Sequence, residues 1–284
     1  VQGWGSVVRQ LYREGEQGVR DQHALIVGQS HANALRNAAR NYVPTHPNFS
    51  LQVAISGARS FPGGLVLHTV GGQPMANPVI MATVERSMAR GGRDLWVVSL
   101  LGVNYANRLA LLRAREPFDF VLPGREDLPL DREARSLPFD VVADAMRAMM
   151  ESLAGALTAL SRLPIAGVIQ IEGPGPIRDS ALLASSLPPR TVEAARRLGV
   201  KSEEIVISPP SLRLKTWLLQ CRLMRELCAK AGVTYMPAPA SMNDAEGYRL
   251  PGTLADAIHA NGDYAMAVFA DLEALITQAR EVAA

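Results

Sequence analysis

The sequence predicts an α/β protein, a three-layer α/β/α sandwich around a central parallel sheet of about five strands. Three observations predict it. Short apolar runs alternate along the chain with longer stretches of helical pattern. Several of those runs, "DLWVVSLLG" among them, are apolar without alternation, as strands covered by helices on both faces are. The segments between the runs are long enough for the crossovers that parallel strands require.

Taken in order, the strands fall at 24–27, 51–55, 95–101, 166–171 and 233–236, with a short extra strand at 118–122. Most are brief apolar runs rich in Val, Ile or Leu, the composition of a buried strand. Helices are expected at 31–40, 78–90, 104–113, 139–161, 191–198, 211–231 and 263–280. Their length rules out an all-β fold. Two regions do not fit simple crossovers: 58–77, "ARSFPGGLVLHTVGGQPMAN", and 172–210, which opens "EGPGPI" and contains "LPPR" and "SPP". Both are expected to be loop insertions in one domain spanning 1–284, either exposed elaborations or walls of a site above the strand ends.

Composition narrows the function. The chain has 284 residues, a net charge of +2 and 20% charged residues. Its basic residues are scattered among acidic ones, so no nucleic-acid footprint is formed. No run reaches 18 apolar residues, and no transmembrane segment is expected. No signal peptide is visible, which favours a cytoplasmic location. Cys221 and Cys228 lie seven apart in a helical pattern, about 10 Å along the axis, too far for a disulfide. They are expected to be buried thiols. Two cysteines alone cannot supply a four-ligand metal site, and the oligomeric state is left open.

The candidate chemistry begins at "ALIVGQSHANAL", 24–35. Ser30 follows a buried strand and precedes a helix, at the carboxyl edge of the sheet where open α/β proteins bind ligands. It is either a helix-capping serine or a nucleophile. The spacing is not that of a lipase elbow, because Ala32 stands where the second glycine would be. The glycine and lysine spacing of a phosphate-binding loop is absent as well. Near the other end, "LADAIHANGDYA" puts Asp256 three residues before His259. An acid there can orient an imidazole, which in turn can take a proton from a serine. Alternatively, the pair only shapes a loop. Asn104, in "LLGVNYANRL", and Gly57, in "VAISGARS", each follow a strand and can donate to a developing oxyanion or simply build turns.

These residues in this order resemble the SGNH (GDSL-like) hydrolase superfamily. Ser30 is similar to its first-block nucleophile and Gly57 to its second-block glycine. Asn104 is similar to its third-block asparagine, and Asp256 and His259 to its last-block Asp-x-x-His. The chain departs from the pattern at Gln29, where the family has Asp, at Tyr105, where an acid usually follows the asparagine, and at "HAN" in place of His-Pro-Asn. Asn107 is a second candidate for the oxyanion asparagine. The resemblance implies a flavodoxin-like fold and a serine ester hydrolase with Ser30, Asp256 and His259 as its triad. The oxyanion hole would be the Ser30 and Gly57 amides and the Asn104 side chain. It implies a small acyl or O-acetyl ester as substrate, with a carbohydrate as a candidate carrier, and no cofactor. An O-acyltransferase of the same superfamily, or a non-catalytic carbohydrate-binding or structural domain, are the alternatives.

Overall fold

The computed structural model describes residues 22–55, 65–68, 74–197 and 205–283. The chain enters at β1 (Gln22–Gly28) and turns at once into α1 (Ala32–Ala39). It continues through β2 (Phe49–Ile55), the short β3 (Val66–His68) and β4 (Pro74–Ala76), and α2 (Pro78–Gly91) to β5 (Leu95–Leu100). Next come α3 (Tyr105–Ala110), β6 (Phe118–Asp119), β7 (Arg135–Ser136), α4 (Phe139–Leu160) and β8 (Gly167–Ile171). The last third holds α5 (Ser180–Ser185), α6 (Pro189–Arg197), α7 (Pro210–Ala231), β9 (Thr234–Met236) and α8 (Gly262–Ala283).

β1, β2, β5, β8 and β9 form one sheet in the order β2-β1-β5-β8-β9, and every neighbouring pair is parallel. This is the sheet the apolar runs predict. Its strands alternate between two cores, which is why they read as continuous apolar runs. Leu25 and Val27 of β1, Leu95 and Val97 of β5, and Val168 of β8 face one core, with side chains of α2, α4 and α7. Ala24 and Ile26, Val98 and Leu100, and Ile169 and Ile171 face the other, with α1 and α8. A helical layer thus covers each face. Each large apolar side chain buried this way contributes about 1.5–3 kcal/mol.

The structure differs from expectation in local elements. The extra strand at 118–122 is only Phe118–Asp119, paired in parallel with Arg135–Ser136 in a separate two-stranded sheet. Within 58–77, the described residues form an antiparallel pair, β3 with β4, rather than irregular loop. Within 172–210 the described residues include helices α5 and α6, of which α5 is too short to show a period in sequence. Helix α3 is shorter than the expected 104–113, because Leu111 and Leu112 leave the helix and Leu112 bridges Ile207. Cys221 and Cys228 are free and buried. Among the described residues, no helix is long and apolar enough to cross a membrane.

Candidate active site

Because all five strands run the same way, their carboxyl ends share one edge, and the β1, β5, β8 and β9 exits open on it. The β1 exit is tight. A Cβ on Gly28 would come within 2.9 Å of the Ala32 Cβ and 3.1 Å of the Leu100 Cβ, so glycine lets the strand turn directly into α1. The Ala32 amide donates to the Gln29 carbonyl at 2.9 Å, and the Asn33 amide to the Ser30 carbonyl at 3.1 Å. His31, not Ser30, occupies the N-cap position, and its side chain makes no capping bond. Ser30 stands exposed in this turn.

Asp256 and His259 are joined. Asp256 Oδ2 lies 2.7 Å from His259 Nδ1, and Asp256 Oδ1 accepts from the Ile258 and His259 amides at 2.8 Å each. Burial pushes the Asp256 carboxyl upward. The His259 hydrogen bond and the two amides outweigh that and hold it below the usual carboxylate range. A carboxylate acceptor at Nδ1 fixes the proton there, which leaves Nε2 of a neutral His259 as the free acceptor. The loop is braced by a bridge between Leu254 and Ala260 and by the Ala255 amide donating to the His259 carbonyl at 3.0 Å. Asn261, of the "HAN" triplet, accepts from the Asp263 and Tyr264 amides through Oδ1 and donates to the Gly252 carbonyl. It caps α8 and ties the dyad loop to the preceding turn.

The β1 exit and this loop meet through two imidazoles. The His31 and His259 ring centroids are 4.9 Å apart, tilted by 54°. His31 is buried, and that burial pulls its pKa down to about 3, helped by the charges of His259 and Arg249 and opposed by Asp256. It is neutral at any working pH. The residue next to Ser30 therefore packs on the dyad, while Ser30 itself makes no hydrogen bond to Asp256 or His259.

The β5 exit carries Asn104. Gly102 has φ +65°, a left-handed conformation that glycine tolerates, and a Cβ there would sit 2.7 Å from the Tyr105 ring. Tyr105 fills this space as a buried side chain. Asn104 takes the N-cap position of α3 without making a side-chain cap, so its amide is not consumed by the helix. Asn107 lies within α3. Gln220 of α7 was not legible in the sequence and holds this turn from below. Its Oε1 accepts from the Ala106 amide at 2.7 Å, and its Nε2 donates to the Val103 carbonyl at 3.1 Å. Gly57 lies outside the described residues.

The β8 exit places Glu172 in the interior. Tyr235 donates to Glu172 Oε2, and burial pushes the carboxyl up to about 7 against the opposing pulls of Cys221, the Ala238 amide and Arg225. Among the described residues no three His, Cys, Asp or Glu side chains converge as a metal-binding group.

No protein-family model and no curated protein matches the chain. Solved structures are distantly similar to it. The periplasmic domain of a lipopolysaccharide acetyltransferase from Salmonella ser. Paratyphi A aligns at 11% identity over 98% of this chain and 90% of its own, with a TM-score of 0.47. A GDSL-like lipase from Bacteroides thetaiotaomicron aligns at 13% identity over 99% and 98%, with a TM-score of 0.40. The aryl esterase of M. smegmatis aligns at 13% identity over 92% and 99%, with a TM-score of 0.42. At these values the likeness is remote and says nothing about which residues react.

Proposed function

We propose that the chain is a serine ester hydrolase of the SGNH (GDSL-like) type, acting on a small acyl or O-acetyl ester. The observation that carries this reading is the Asp256–His259 hydrogen bond at 2.7 Å, packed through His31 against the turn that bears Ser30. Ser30 Oγ attacks the ester carbonyl as His259 Nε2 takes its proton. The tetrahedral oxygen is held by the Ser30 amide and the Asn104 side chain, the asparagine whose amide the helix leaves free, and the Gly57 amide is the third donor expected from the sequence. As the intermediate collapses, His259 protonates the departing alcohol oxygen and an acyl-Ser30 ester remains. Water, deprotonated by His259, then attacks that ester, releases the acid and restores Ser30. Asp256 stabilises the imidazolium formed in each half-reaction and fixes the tautomer. The Ser30–His259 hydrogen bond is expected to form when substrate is bound, because catalytic contacts often tighten only then.

Turnover of 4-nitrophenyl acetate tests the reading. Ser30→Ala is expected to lower kcat by about 10³-fold or more, and Asp256→Asn by about 10²–10⁴-fold. A fluorophosphonate should label the wild type at Ser30 and fail to label His259→Ala. Equal turnover in wild type and Ser30→Ala, with no labelling, would overturn the enzyme and leave a binding or structural role. Product partitioning to an added sugar alcohol would instead identify acyl transfer.

A further inference from the structure

Buried polar groups nearly always find partners, so those that do not ask for an explanation. Three such groups belong to Arg249, Tyr264 and His31, and the last packs on His259. Arg249 is 3% exposed, and its Nε and Nη1 have no hydrogen-bond partner. The Tyr264 hydroxyl and His31 Nε2 are likewise buried and unpaired. They share one neighbourhood. The His31 ring touches His259. Arg249 lies close enough to act on the charge of His31, while Asp256 and Tyr264 act on that of Arg249.

The natural counter-ion for Arg249 is Asp256, but both of its oxygens are already engaged, one by two backbone amides and the other by His259. Burial pulls the guanidinium down only to about 10, so it stays charged at neutral pH. The backbone holds it in place. The Arg249 amide donates to the Pro176 carbonyl at 2.9 Å, and the residue bridges Asn243 in antiparallel fashion. Arg249 is thus tied to the β8 exit on one side and stands seven residues before Asp256 on the other. A fixed guanidinium with unused N–H groups, beside a phenol and an imidazole that can also donate, complements an anionic oxygen group. A neutral hydroxyl or an alkyl chain would leave that charge unanswered.

We propose that Arg249, with Tyr264 and His31 beside it, binds a carboxylate or phosphate carried by the substrate next to its ester, so that the site selects acidic esters. The inference rests on the ester-cleavage reading for the reacting bond. The anion site itself rests on the unpaired donors.

Calorimetric titration of the whole chain with D-glucuronate and with inorganic phosphate, against D-glucose as the neutral reference, tests it directly. At least one anion is expected to bind where glucose does not, and which of the two binds more tightly tells carboxylate from phosphate. Arg249→Gln should weaken that binding tenfold or more. Arg249→Lys, which keeps the charge if the glutamine variant does not fold, should weaken it at least threefold, because an ammonium does not replace the planar donor set. No binding of either anion by the wild type, or unchanged binding by a folded Arg249 variant, overturns the site. Anion binding in a protein that turns over no ester would sink the hydrolase reading and leave the site standing. Ester turnover without anion binding would do the reverse.

Discussion

At the scale of single residues, the site pairs groups whose protonation is set by different surroundings. Asp256 is kept ionised by donors, His31 is kept neutral by burial, and Glu172 is kept protonated toward neutrality by burial at the β8 exit. Glu172 yields a stability prediction with a definite sign. A carboxyl that ionises later in the folded chain than in the unfolded one favours folding at low pH and gives that up as pH rises. For Glu172 the loss runs from about 4.5, its ordinary value, through about 7, its folded one. It amounts to about 3 kcal/mol. Glu172→Gln has no such titration. Its stability relative to wild type, from urea midpoints, is expected to rise by about that amount between pH 4.5 and 8. Taking the difference cancels Asp256 and Glu273, whose lowered values act at more acidic pH. A constant difference would show that Glu172 is not held protonated. Of these residues, Asp256 and His259 were legible because their spacing is local. Glu172, Arg249 and Gln220 were not, since what makes each unusual is a partner, or the lack of one, far away in sequence.

At the scale of elements, the turn after β5 depends on a helix more than a hundred residues downstream. Gln220 of α7 is fully buried and satisfies both a donor and an acceptor of the 103–106 backbone. Gly173, just after β8, presses on the same turn, and a Cβ there would lie 2.4 Å from the Val103 carbonyl oxygen. Gln220→Leu keeps the volume but leaves the Ala106 amide and the Val103 carbonyl buried without those partners. It is expected to cost about 1–3 kcal/mol in urea denaturation. It should also lower kcat with 4-nitrophenyl acetate more than it changes KM, because Asn104 would lose its fixed place. An unchanged kcat would separate Asn104 from oxyanion binding. The helix itself was visible in sequence, but its buried polar residues hid which face does what. Arg213, Lys215, Thr216 and Gln220 are all buried along α7, and Lys215 pairs with Asp119 at 2.5 Å. Polar residues in a core defeat a reading that equates polar with exposed. The two-residue β7 and the six-residue α5 escaped notice for a simpler reason, since too few residues carry a period, and for the same reason β6 was expected longer than it is.

At the scale of the whole molecule, the sheet and its two helical layers were legible because burial on both faces writes itself into the strands as unbroken apolar runs. The order of the strands was not, because register and neighbour depend on contacts that no local pattern encodes. That order matters for chemistry, since β1 sits between β2 and β5 and so Ser30 leaves the sheet beside Asn104. It matters for stability too. β1, β5 and β8 contribute side chains to both cores, so neither layer of helices can leave without exposing strands that hold the other. One cooperative unit is therefore expected, with α8 and its dyad loop inside it. Phe269 of α8 is fully buried in one core and Leu153 of α4 in the other. Phe269→Ala is expected to cost about 3–5 kcal/mol and Leu153→Ala about 2–5 kcal/mol. Each should shift a single urea transition, read identically by far-UV circular dichroism and by tryptophan fluorescence. If Phe269→Ala instead splits off an early transition that Leu153→Ala leaves untouched, the two faces unfold separately. The dyad would then be anchored by α8 and α1 alone, not by the molecule as one domain.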